Sequence, residues 1–312
     1  MFGAISINDP TTLLGVVEGS TSSIFINGPI TLAGNSSINN LSVASFTNLG
    51  LINGAFSLNI TSASPLSLTA SIGATTPLAA LTVNSPFPFG GSTMTTTGNI
   101  TLNGAMQLVN NTTITVGGVF TANAGIDSFD MQRSLTIAAS GGANLQAVGN
   151  STPVSALTFT SATSAVAVSS SISVGTLTQQ AGSGVYQGAI NTFAFGISLI
   201  GTSFTINGNS STTNNGPFTL TNSGPSSISG SLSLDGTFTQ SGAGVTLNGV
   251  TITTTNDTVN FGSVTLSVGA SSINTGAGPG NITFGTINGA QNLTLTSGSG
   301  DIIFTGAVGG TT

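Results

Sequence analysis

The sequence predicts an all-β chain folded as an elongated parallel β-helix, a β-solenoid of short stacked strands. Three observations predict it. Apolar residues alternate with Thr, Ser and Asn in runs of about four to six residues, each closed by Gly or Asn-Gly. Ser23-Ile24-Phe25-Ile26-Asn27-Gly28, Asn99-Ile100-Thr101-Leu102-Asn103-Gly104 and Ser203-Phe204-Thr205-Ile206-Asn207-Gly208 are examples. Related phrases recur along the chain, which is how repeat architectures announce themselves. Finally, only 3% of residues are charged while 38% are hydrophobic, against about a quarter charged in ordinary soluble domains.

That composition decides several things before any element is placed. Disorder needs low hydrophobicity, usually with high charge, and neither is present, so the chain folds. Helices are poorly served, because Thr, Val, Ile, Ser and Asn prefer strands and turns. Arg133 is the sole basic residue and the formal charge is −6, which argues against nucleic acid as a partner. With no Cys and no His, disulfides, thiolate metal sites and most nucleophile–base pairs are excluded, and no cofactor is expected. There is no apolar run of about 18 residues, so no transmembrane segment is expected. No secretory signal follows Met1, since Phe2–Ile7 is too short for its apolar core.

In chain order, the 312 residues read as one solenoid repeat domain. Residues 1–65 are degenerate N-terminal coils, with Asp9-Pro10 and Glu18 as parts of a cap, and 66–312 carry the clearer repeats. Each run supplies a strand with its apolar residues inward, and Gly or Asn supplies φ > 0 corners. Thr76-Pro77 and Thr152-Pro153 both lead into Leu-Thr-Val or Leu-Thr-Phe, 76 positions apart (153 − 77). A second phrase type, Met94–Gly98, Leu177–Gln180 and Phe238–Ser241, recurs between them with slipping spacing. Such slippage suits coils joined by loops and would scramble a closed barrel. A sandwich would bring longer strands and Trp. Coils of roughly 20 to 25 residues give about 13 turns and, at about 4.8 Å each, a rod on the order of 60 Å. The last phrase, Asn292–Thr312, stops before the proline that earlier copies reach, which reads either as a segment of a longer repetitive protein or as a bare assembly edge formed by Gly309, Gly310, Thr311 and Thr312.

Chemistry-bearing residues are few. Asp127, Asp130 and Arg133 are the only clustered charges; they read either as an acid pair with an Arg for glycosidic chemistry or as a local ion-pair cluster on a loop. The second reading is preferred, because a β-helical enzyme lines a whole face with charge. Ser297-Gly-Ser-Gly-Asp301 reads as a structural turn. Thr-x-Thr segments such as Thr112–Val116 and Thr251–Thr255 do not recur at coil spacing and read as solvent-facing strand. Tyr186, Phe193, Phe195 and Phe204 read as filling a wide part of the core, with a sugar-stacking patch as the alternative.

Gln291–Thr312 and Thr75-Thr-Pro-Leu-Ala-Ala-Leu-Thr-Val83 resemble the strand repeats of large secreted bacterial proteins, the filamentous-haemagglutinin-like adhesins and autotransporter passenger domains. The resemblance implies a right-handed parallel β-helix at the cell surface or in a fibre. The function expected is that of a non-enzymatic extracellular structural protein, a surface adhesin stalk or the subunit of a filament that assembles end to end. A polysaccharide-binding or polysaccharide-cleaving β-helix is the alternative. The partners expected are copies of the chain itself and host or matrix glycans.

Overall fold

One side chain in, one side chain out is the pattern carried through the computed structural model, which describes residues 4–20, 22–43, 46–63 and 65–310. Its 36 strands run from two residues (Ile52–Asn53) to twelve (Ile190–Gly201), and no helix occurs among the described residues. Strands pair in parallel with the strand one turn away, as Ile5–Ile7 does with Ile24–Ile26 and Val245–Leu247 with residues 264–266. The fold is therefore a parallel β-solenoid. The step from one turn to the next ranges from 18 residues (Ala165 to Ser183) to 23 (Ile24 to Thr47). This is shorter than the 20 to 25 expected, and there are about 15 turns.

The chain packs as two compact units, residues 1–155 with 162–164 and residues 156–161 with 165–312. In the first unit, one inward column climbs from Ile24 through Thr47, Leu66, Phe87 and Met106 to Ile126. A second contains Met94, Ile114 and Ile137, and a third Leu58, Leu81, Ile100 and Phe120. All of these apolar residues are buried, which is what alternation with period two dictates once each strand lies over an equivalent one. In the second unit, the rings of Phe238, Phe261 and Phe284 form a column with centroids 4.8 Å and 5.4 Å apart; Phe218 begins it and Phe304 ends it.

Stacking also explains the missing charge. A residue that faces solvent lies about 4.8 Å from its equivalent in the next turn, and like charges at that distance repel by about 1 kcal/mol even in water. A carboxamide avoids the repulsion because it both donates and accepts. Asn27 Nδ2 donates to Asn8 Oδ1 at 2.9 Å and Asn48 Nδ2 to Asn27 Oδ1 at 2.7 Å. Asn103 Nδ2 donates to Asn84 Oδ1 and Asn123 Nδ2 to Asn103 Oδ1, both at 2.7 Å.

The expected φ > 0 is met at the Asn-Gly corners that end in Gly54, Gly249 and Gly289, and at Asn214, Asn215 and Asn256. Gly28, Gly104 and Gly208, beside the carboxamide ladders, are not in that region. The glycine is needed for close approach instead: a Cβ on Gly208 would collide with the Gly188 carbonyl, and one on Gly230 with that of Gly208. The 76-residue spacing is likewise not a structural period. Leu81 lies in the column of Ile100, whereas Ser155, next to Val154, donates its N–H to Arg133 C=O at 2.9 Å and so continues the sheet of Ser134–Ala139.

Several buried polar side chains satisfy one another, while the hydroxyls of Thr192 and Ser210 have no hydrogen-bond partner among the described residues. Asn40 Nδ2 donates to Thr47 Oγ1 at 2.9 Å, and Thr47 Oγ1 is 3.2 Å from Ser62 Oγ. In the second unit the Tyr186 hydroxyl donates to Gln179 Oε1 at 2.6 Å, while Gln179 Nε2 donates to the carbonyls of Ala181 and Ser183. Gln240 Nε2 donates to Asn222 Oδ1 at 2.9 Å. Paired in this way, the groups avoid the cost of a buried, unmet donor or acceptor.

Candidate functional site

The charged cluster resolves into separate attachments. Asp130 Oδ1 accepts from Met131 N–H at 2.7 Å and from Arg133 Nη2 at 3.2 Å, on an exposed turn between Ile126–Ser128 and Ser134–Ala139. The Met131 amide first, and then the guanidinium, hold the Asp130 carboxyl below the usual carboxylate range. Asp127 points outward from its strand and accepts Ser151 N–H at 2.9 Å. Arg133 N–H donates to Ser128 Oγ at 2.9 Å. The two acids are thus held by different groups.

Asp257 is the other perturbed acid. Partial burial and the charge of Asp235 push its carboxyl up. Asp235 Oδ2 accepts Asn215 N–H at 3.0 Å. Among the described residues no three His, Cys, Asp or Glu side chains gather closely enough to share a metal ion, and no helix is long and apolar enough to cross a membrane. Ser297–Asp301 is a tight turn closed by Gly300 N–H to Ser297 C=O at 2.8 Å.

Thr-x-Thr stacks on Thr-x-Thr in one pairing, and the next turn carries Thr136 and Ala138 there, so a continuous ladder is absent among the described strands, as expected. Thr93 and Thr95 lie opposite Thr113 and Thr115. Thr251 and Thr253 lie opposite Ser272 and Asn274, which lie opposite Thr294 and Thr296. Ser and Asn substitute for Thr and the turn length varies, so the ranks are invisible in the sequence. The four aromatics between 186 and 204 do not form a patch: Tyr186 and Phe204 are buried, Phe193 is half-buried and Phe195 is exposed.

The remaining feature is the edge predicted near the C-terminal phrase. Strand Ile302–Phe304 pairs along one side with Ile282–Phe284, and no described strand lies along its other side. Leu293–Thr296 pairs only with Ser271–Asn274. Ile302 is 41% exposed, Phe304 46% and Val308 61%, whereas Ile282 and Phe284 one turn below are fully buried. Gly309, with φ 68°, donates its N–H to Ile287 C=O at 2.8 Å, and Gly310 follows it. Thr311 and Thr312, the other two edge residues, lie outside the described residues. In the first unit Thr11–Gly19 pairs only with Ile30–Asn40 among the described residues, and there Leu14 and Val16 are exposed. Asp9 and Pro10 precede this strand and Glu18 belongs to it, so all three are part of the coils themselves.

No family model, curated protein or solved structure matches the chain.

Proposed function

We propose that the chain is a non-enzymatic structural protein of the cell exterior, a solenoid subunit that extends a filament or an adhesin stalk by adding turn upon turn. The observation that carries this reading is the strand Ile302–Phe304, which among the described residues is paired along one side only and carries the last ring of the phenylalanine column. A further turn laid on that edge buries Ile302, Phe304 and Val308. At roughly half-burial each, that contributes about 2–4 kcal/mol, besides the strand hydrogen bonds it completes. Natural edges are usually blunted by charge, proline or a covering element; the described residues 301–310 hold one charged residue, Asp301, and no proline. When the covering turn belongs to a second copy, the contact is heterologous and propagates.

The likeness of the repeats to those of exported bacterial proteins supports the exterior setting. Neutral carboxamide and hydroxyl ranks support a scaffold role, since they stabilise turn on turn and leave no convergent acid–base machinery. Electron microscopy of the purified chain at micromolar concentration tests the reading. Continuous fibres with an axial repeat of one subunit are expected, and the double substitution Ile302→Lys, Phe304→Lys is expected to leave single particles. Single particles from the unmodified chain at every concentration would rule out self-assembly.

A further inference from the structure

A recess on the first unit, of about 360 Å³, is lined by Phe25, Phe46, Asn48, Pro65, Ser67 and Pro88, and that volume lies within the range of ligand pockets, roughly 300–1,000 Å³. Its plan follows from the register. Phe25, Asn48 and Ser67 are successive members of one outward rank, and Pro88 is the next, one residue before the Phe89 that faces Leu68. Phe25 and Pro88 therefore wall a slot three turns high, about 14 Å at 4.8 Å per turn, whose floor is two small polar residues. Phe46 and Pro65 close one side, at the corners that precede Thr47 and Leu66.

The wall is held in place. Phe46 is 58% exposed, yet its N–H donates to Ser23 Oγ at 3.0 Å and its C=O accepts from Ile24 N–H at 2.8 Å and Asn40 Nδ2 at 3.3 Å. Two groups on the floor remain free to bond. Asn48 uses Nδ2 on Asn27, which leaves its Oδ1 unmet, and the Ser67 hydroxyl bonds no described residue.

These properties select the ligand. No charged side chain lines the recess, so a charged group would gain nothing for its desolvation. A peptide added as a strand would need a free strand edge, but the backbone here is committed between turns, as with Thr47 N–H to Pro65 C=O at 3.0 Å, which leaves a proline-rich segment as the peptide to test against. We propose that the recess binds a neutral pyranose unit of a glycan. Its apolar C–H face lies on the electron-rich rings of Phe25 and Phe46, and its hydroxyls reach Asn48 Oδ1 and Ser67 Oγ. This site is independent of edge assembly: glycan binding survives in the Ile302→Lys, Phe304→Lys chain, so failure of one proposal leaves the other standing.

Saturation-transfer NMR on the full chain with cellotetraose, maltotetraose and chitotetraose tests it, with decaproline as the peptide probe. At least one tetrasaccharide is expected to bind with a Kd near the millimolar range, about −4 kcal/mol. Phe46→Ala, at an exposed position, is expected to weaken binding about tenfold through loss of one stacked ring, and Ser67→Trp, which fills the floor, to abolish it. Phe195→Ala, an exposed ring on the other unit, is expected to leave binding unchanged. The proposal is overturned if none of the three sugars binds, if both recess variants bind as the parent does while retaining its circular dichroism, or if decaproline binds and the sugars do not.

Discussion

Phe261→Ala is the most informative single perturbation of the second unit. The side chain is 3% exposed, with its ring 4.8 Å from Phe238 and 5.4 Å from Phe284. Removing a buried phenylalanine costs about 3–5 kcal/mol when the site cannot collapse; two aromatic pairs, about 0.5–1.5 kcal/mol each, lie within that figure. Collapse is opposed here because the turns above and below are pinned by continuous backbone ladders. Phe304→Ala provides the internal comparison. That ring is 46% exposed and touches one ring, at 5.8 Å, and its removal opens onto solvent without creating a cavity. Half of an ordinary burial term plus one ring pair gives about 1–3 kcal/mol. Urea titration read by circular dichroism, and by the fluorescence of Tyr186 as the single tyrosine in a chain without tryptophan, measures both. With m near 1–3 kcal/mol/M, Phe261→Ala is expected to lower the midpoint by more than about 1 M and Phe304→Ala by clearly less. Equal losses in the dilute, unassembled chain would refute the picture of a column closed at one end and open at the other.

Three further outcomes are expected. Complete burial raises the Tyr186 phenol far above its ordinary range, so the folded state keeps a proton that the unfolded state releases near pH 10, and stability falls as pH rises through that point. Tyrosinate absorbance should therefore appear together with loss of the β-sheet dichroism; a gradual rise in the folded chain would contradict the burial. The Asp257 carboxyl is raised by burial and then by Asp235, so its charge opposes folding at neutral pH and the penalty vanishes as pH falls through its folded pKa. Asp257→Asn should raise Tm slightly at neutral pH, with the gap closing in acid; calorimetry showing a gap that widens in acid would reverse the assignment. Gly208→Ala places a methyl against the Gly188 carbonyl and is expected to destabilise by about 1–3 kcal/mol, in the manner of an overpacked site, whereas Gly15→Ala meets no neighbour and is strained only by its φ of 94°. Equal losses with identical midpoints at both positions would argue against the close-approach role.

Strands and their inward faces were legible because period-two alternation is local: Ile24 and Ile26, or Leu102 with Ile100, needed no partner to be read as core. Columns were not legible, because a column depends on turn length. The phenylalanines from Phe218 to Phe304 recur at 20, 23, 23 and 20 residues (238 − 218, 261 − 238, 284 − 261, 304 − 284), an interval that no fixed period picks out, and Phe261 reaches Phe238 diagonally, since it lies opposite Gln240 while Phe238 lies opposite Val259. Phe195 shows the same limit. It alternates like a core residue, but the register shifts between Val174 and Thr176 of the neighbouring strand and leaves it outside. Asn-Gly was recognisable as a corner, while its reason, a carboxamide ladder beside a glycine contact, depends on which turn lies next. The recess was not legible, because its walls come from four different turns.

In the described strand pairings the step between paired residues stays between 18 and 23 (Ala165 to Ser183, Ile24 to Thr47). Closing the next turn therefore costs the same loop entropy at the start of the chain and at its end, and lengthening the protein does not lengthen its contacts. Each finished turn is already the template for the next. A chain drawn lengthwise through a narrow conduit can fold on the far side as it emerges, and every turn that locks there stops the chain from sliding back. In such a passage the geometry that holds the fold together would act as a ratchet, converting folding free energy into directed movement.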